Sequence, residues 1–245
     1  METTLGQALA AFVSAGLGAV LATSIGVSHR QLCALISFAA GALLATTVFH
    51  ILPDTWAHLS PFPILIALLS GYFLFHVINR YVFHVCPACA ASHFEKEVEA
   101  HRFRSIAVLL GIALTIHSLM DGIAIALGEE LGSTAGHSIF FTIAIHKLPE
   151  GLALCALLMK AGQNKTKALL ATLAFETSTL LGWWVGSFFL KHWVNEQWLN
   201  LALLHIGGGF IFLALHATLN EARNHSPRFI LTFFLLGFLF MGLVR

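Results

Sequence analysis

The sequence predicts an all-α integral membrane protein of eight transmembrane helices with both termini outside. Three observations carry that expectation. Hydrophobic residues make up 58% of the chain and charged residues only 10%, with a mean hydropathy of +0.83, whereas a soluble domain is roughly one quarter charged. Eight segments approach the roughly 20 apolar residues that a helical span needs: Leu5 to Gly26, Leu32 to Leu52, Phe62 to Asn79, Arg104 to Leu127, His137 to Met159, Lys167 to Leu190, Trp198 to Leu219 and Arg228 to Val244. The basic residues then choose a side. Arg30, then Arg80, Lys96, Arg102 and Arg104, then Lys160, Lys165 and Lys167, then Arg223 and Arg228 fall on alternate connections, and the opposite side keeps only Lys191 and Arg245.

The spans differ in what they can do. The first is rich in Gly and Ala and uncharged, which suits close helix packing. Glu2 precedes it in place of a positive region, and no small-residue cleavage site ends it, so it reads as a span and not as a cleaved leader. The second ends His50-Ile51-Leu52-Pro53-Asp54, a His and an acid four apart near the outer surface, either a proline-stopped helix end or a place where a cation arrives. The third, with Tyr72, Phe73 and Phe75, reads as packing or lipid-facing material.

The loop at about 80–103 holds His84, Cys86, Cys89, His93 and His101. It is either a cytoplasmic metal-collecting segment or an incidental soluble one. Glu95, Lys96, Glu97 and Glu99 read as a solvated face. Cys33 and Cys155 lie in apolar runs, so the four cysteines make no disulfide framework. The chain is otherwise a single transmembrane domain over 1–245. Its net charge of +1 says nothing by itself about partners, but a basic stripe is absent and no nucleic-acid partner is expected.

The fourth and fifth spans carry the chemistry. His117-Ser118-Leu119-Met120-Asp121-Gly122 and His146-Lys147-Leu148-Pro149-Glu150-Gly151 each set a His and a carboxylate four residues apart, on one helical face. At 1.5 Å per residue, His117 and His146 both lie roughly 15 Å below the outer edge, near the midplane. Glu150 and Glu176 count to slightly deeper levels and Asp121 to a level nearer the outside. Pro149 removes the N–H that would bond the Ile145 carbonyl, so a kink is expected there. Five such groups in a membrane carry a large desolvation cost unless they hold a cation, and imidazole and carboxylate suit Zn²⁺, Fe²⁺, Mn²⁺, Co²⁺ or Cd²⁺. In the seventh span, three glycines at Gly207 to Gly209 suit a close crossing, and His216 and Glu221 lie toward its inner end.

These residues resemble the ZIP (Zrt/Irt-like protein) metal transporters over essentially the whole chain. The resemblance rests on His146-Lys147-Leu148-Pro149-Glu150-Gly151, on His117 to Gly122, on the eight spans and on the long loop after the third. It implies an inverted-repeat bundle with a metal site between spans four and five, His117, His146 and Glu150 as primary ligands, and Asp121 and Glu176 as nearby acids. Leu43 falls where some members carry a ligand and cannot itself ligate. Two-metal members place oxygen or amide ligands at the positions of Ser118 and Lys147. The Lys147 ammonium instead predicts a single metal, paired with Glu150, Asp121 or Glu176.

The expected activity is passage of a divalent transition metal, Zn²⁺ foremost, across a plasma (inner) membrane toward the cytoplasm. The path runs from His50 and Asp54, through the midplane ligands, past Glu176, His216 and Glu221. The metal is substrate and no cofactor is expected. Besides metal ions and the lipid bilayer, the expected partners include at most a second copy of the chain. The rival reading is an intramembrane zinc-dependent hydrolase; the chain has no His-Glu-x-x-His to support it.

Overall fold

A computed structural model describes residues 2–24, 29–82, 100–129, 133–193 and 195–243. The loop with His84, Cys86, Cys89 and His93 lies outside the described residues. Among the described residues there are no strands, and eight helical rods follow one another: α1 (Glu2–Ser24), α2 (His29–Thr46, continued by Thr47–Ile51 and Leu52–Trp56), α3 (Pro61–Val77, continued by Ile78–Val82), α4 (Ala100–Gly128), α5 (Ser133–Lys160), α6 (Lys165–Trp184, continued by Val185–Leu190 and Lys191–Trp193), α7 (Glu196–Asn224) and α8 (Pro227–Leu243).

Among the described residues, six rods are long and apolar enough to cross a membrane, which makes the chain a multi-pass membrane protein. The apolar stretch Leu114–Gly128 of α4 and the whole of α8 are shorter. At 1.5 Å per residue the 17 residues of α8 reach about 26 Å, a little under the hydrocarbon thickness.

Local chemistry sets the breaks. Pro61 opens α3 at a position that has no N–H bond to lose. Asn164 and Asn195 cap α6 and α7 by accepting from Lys167 N (2.8 Å) and Trp198 N (3.0 Å). Gly162, at φ +90°, turns the chain out of α5. Pro53 cannot donate to the Phe49 carbonyl, and just there α2 widens into the π-helical turn Thr47–Ile51, closed by Leu52 N–H on Thr47 O.

Packing divides the rods into two groups. α1, α4, α5 and α6 pack on one another, as do α2, α3, α7 and α8; α2 against α5 and α7 against α4 join the groups. Each group is held by reciprocal glycines. A Cβ at Gly18 or Gly151 would strike the facing backbone between α1 and α5, and Gly122 and Gly182 do the same between α4 and α6. In the other group, Gly41 and Gly237 join α2 to α8, and Gly71 and Gly208 join α3 to α7. Exchanging α1 with α6, α2 with α7, α3 with α8 and α4 with α5 turns each of these pairs into another. That is the pattern of an inverted repeat.

Rods consecutive in the chain run in opposite directions, so α1 lies antiparallel to α4 and α2 lies parallel to α8. Thr3 Oγ1 at the start of α1 donates to Glu129 beyond α4 (3.3 Å), and His50 late in α2 meets the Met241 carbonyl late in α8 (3.2 Å). The exposed Trp56, Trp193 and Trp198 lie at this same end, the residue type that membrane proteins gather at an interface. Large apolar side chains such as Phe62, Leu69, Leu235 and Leu239 face outward from the bundle.

Candidate metal centre

The centre forms where α4 and α5 cross antiparallel, so the two sequence motifs meet head to tail. Asp121 faces His146, with Oδ2 3.2 Å from Nε2, and His117 Nε2 lies 3.9 Å from Glu150 Oε2. His117 Nε2 is also 3.5 Å from Asp121 Oδ2, and His146 Nε2 is 4.0 Å from Glu150 Oε2. One donor atom from each of His117, Asp121, His146 and Glu150 falls within 4.8 Å of the others. A tetrahedral zinc with bonds of about 2.0–2.3 Å spaces its donors roughly 3.3–3.8 Å apart, so only small shifts close this ring on an ion.

The imidazoles are set for ligation. His146 Nδ1 donates to the Thr142 carbonyl one turn earlier (3.0 Å), which leaves the Nε2 lone pair of the neutral ring facing the other donors. His117 is pinned by the edge of Phe75, with centroids 6.0 Å apart, and its ring lies 5.3 Å from that of His146. Pro149 stays inside a continuous α5 and lines the cavity beside the site.

Lys147 completes the centre from the side. Its fully buried ammonium lies 3.1 Å from Asp121, 3.0 Å from Glu150 and 3.0 Å from Glu176, and donates to Ser118 Oγ at 2.5 Å. The single Ser118 O–H in turn faces two acceptors, Glu150 Oε1 (3.1 Å) and Glu176 Oε2 (3.3 Å). Glu176 thus stands behind the ammonium, outside the four-donor ring. With the carboxylates ionised and the imidazoles neutral, three negative charges against one positive leave −2, the charge one divalent ion cancels.

Residues expected elsewhere on the path are placed as follows. Buried His50 meets the Met241 carbonyl of α8, and Asp54, half-buried, sits one turn on. His216 stacks on Phe212 (5.2 Å, 11° between planes) and meets Asn220 (2.9 Å). Glu221, fully buried, lies against His225. Depth counting set Asp121 apart from His117 and His146; the antiparallel crossing brings it to His146, because the ring spans one helical turn of depth.

A cavity opens from the centre in one direction. It is lined by His117, His146 and Glu150, by Leu43, Ala40 and Ile36 of α2, and by Leu213 and Ala217 of α7. Each helix is thereby followed toward the end opposite the chain termini. On the other side, Thr142 of α5 bonds Thr46 of α2 beside fully buried Ile139 and Ile143.

Comparison with known proteins supports these observations. The family profile described as ZIP Zinc transporter matches residues 88–245. Zinc transporter 3 of Arabidopsis thaliana is 28% identical over 177 residues, 61% of this chain and 51% of that protein. Zinc transporter zipt-7.2 of Caenorhabditis elegans is 28% identical over 118 residues, 46% of this chain and 25% of that protein. Zinc transporter zipt-7.1 of Caenorhabditis briggsae is 28% identical over 135 residues, 52% of this chain and 33% of that protein. The chain spans a quarter to about half the length of these relatives.

Proposed function

Because the chain belongs to the ZIP zinc transporter family, we propose that it carries a divalent transition metal, Zn²⁺ foremost, across the plasma (inner) membrane into the cytoplasm. The observation that carries this reading is the ring of four buried donors from α4 and α5 with the Lys147 ammonium beside it. All eight rods cross the membrane in this reading, with both termini outside, because Arg30, Arg80, Lys165, Lys167, Arg223 and Arg228 gather at the opposite end. The cavity then faces the cytoplasm, and Thr46, Thr142, Ile139 and Ile143 close the outer side.

The cation arrives past Asp54 and His50, sheds water into His117, Asp121, His146 and Glu150, and leaves past Glu221, with His216 beside the route. One metal binds at the centre, since Lys147 takes up the charge and the space of a second. Glu176 holds that ammonium. Acidification opposes binding, because imidazole and carboxylate ligate only when deprotonated, so a proton taken up at the ligands favours release. The two helix groups shift against each other to expose the site to either side. A hydrolase needs an open coordination position for its water; four protein donors converging on one point leave a tetrahedral ion none.

Purified protein in liposomes is expected to take up Zn²⁺ or Cd²⁺, and His117→Ala or Glu150→Ala to abolish that uptake. Uptake that survives both substitutions would remove the site assignment.

A further inference from the structure

The cavity that leads from the metal centre points at a second set of ligands. On α2 its last lining residue is Ile36 and on α7 it is Ala217. One turn further toward the same end stand Cys33 and Glu221, and the residue that caps α7 is His225. Cys33 and Glu221 are fully buried, while the His225 side chain is 21% exposed and so reaches the aqueous edge.

The three side chains converge. Cys33 Sγ lies 3.8 Å from His225 Nε2, His225 Nδ1 lies 3.2 Å from Glu221 Oε2, and a donor atom from each falls within 4.8 Å of the others. His225 Nδ1 also reaches the Glu221 main-chain carbonyl at 3.3 Å. A neutral ring that donates from Nδ1 keeps its Nε2 lone pair, the nitrogen facing the sulfur, for a metal.

We propose that Cys33, Glu221 and His225 form a second metal site, separate from the α4–α5 centre, that binds Zn²⁺ or Cd²⁺ through thiolate, carboxylate and imidazole at the inner mouth of the path. Its function as the last station before the cytoplasm rests on the transport reading; its capacity to bind does not. The thiol releases its proton as the metal–sulfur bond forms, and thiolate plus carboxylate then present −2 to a divalent ion. A thiolate makes this site softer than the nitrogen and oxygen ring at the centre, so Cd²⁺ is favoured here relative to that ring. A cation leaving the centre would thus meet, one turn beyond the cavity, a ligand set that differs in kind from the one it left.

The test uses the full chain in detergent with Cys86→Ser and Cys89→Ser, so that the loop thiols do not contribute. Titration with Cd²⁺ is expected to raise a thiolate-to-metal charge-transfer absorption saturating at one metal per chain. Adding Cys33→Ser, a near-isosteric change, should remove the band, and His225→Ala should weaken the binding that gives it by roughly tenfold or more. With all three ligands present, ¹¹³Cd bound there should give a nuclear resonance at lower field than ¹¹³Cd held by nitrogen and oxygen alone, a readout that does not require a variant to fold. The band and the low-field resonance should persist in His117→Ala and in Glu150→Ala, which remove the centre. Absence of the band, its survival in Cys33→Ser, or a ¹¹³Cd spectrum without a low-field resonance would overturn the proposal. Loss of liposome uptake together with an intact band would instead count against transport alone.

Discussion

An ammonium held 3.0 to 3.1 Å from three buried carboxylates at once offsets charge that would otherwise need a cation from solution. Truncating Lys147 removes that charge and leaves the carboxylates facing one another, a change that costs about 3–5 kcal/mol in buried pairs. Lys147→Asn is therefore expected to lower the melting temperature of the metal-free protein and to let Zn²⁺ recover more stability than in the wild type. Anomalous scattering from Zn²⁺-soaked crystals should show one peak between α4 and α5 in the wild type and two in Lys147→Asn. Two adjacent peaks there in the wild type would refute the single-metal reading.

Much of this ring is legible in the sequence because i, i+4 spacing fixes a helical face whatever the tertiary structure. His117, His146 and Glu150 follow from that rule. Asp121's place does not, because residue counting assigns each atom a depth while a side chain reaches across a turn. Cys33 and His225 give no local signal: one sits in an apolar run, the other after a helix end, and only the packing of α2 beside α7 brings them to Glu221.

At the scale of the helices, glycine does most of the joining. Gly122 abuts the Thr179 carbonyl of α6, and Gly182 abuts Leu119 of α4. Backbone has no side-chain rotamer to yield, so even a methyl must force the helices apart, at a cost of about 1–3 kcal/mol. Gly122→Ala is expected to lower the melting temperature in detergent and to weaken metal binding by displacing Asp121, its neighbour. Gly6→Ala, where a Cβ meets nothing within 4 Å, should lower neither. Hydropathy makes the helices legible as elements, but it does not locate the π-helical turn Thr47–Ile51, which depends on how α2 resolves the bond Pro53 cannot make. Nor does it foresee which glycines touch backbone, since that requires knowing the partner helix.

For the whole molecule, the glycine pairs all lie within the α1/α4/α5/α6 group or within the α2/α3/α7/α8 group. The contact between Thr46 and Thr142 instead joins side chains across the two. Oxidising a Thr46→Cys, Thr142→Cys pair should stop metal uptake into liposomes, and reduction should restore it. A pair inside one group, Thr3→Cys with Glu129→Cys, where the native side chains meet at 3.3 Å, should be bridged by a short bismaleimide without loss of uptake. Equal inhibition by both cross-links would contradict movement of one group against the other.

On the transport reading, the fixed lysine also sets how the protein responds to voltage. With its ligands ionised, the ring of carboxylates around Lys147 carries −2 when empty and is neutral with one divalent ion aboard. On that reading the loaded site crosses the membrane field without electrical work, and the empty site does not. Moving one charge through 100 mV is worth about 2.3 kcal/mol, so an inside-negative potential drives the empty site back outward with up to twice that. Uptake should accelerate when a potassium diffusion potential makes the liposome interior negative, provided that the return of the empty site limits the cycle. Lys147→Gln, which deepens the empty charge to −3, should steepen that dependence.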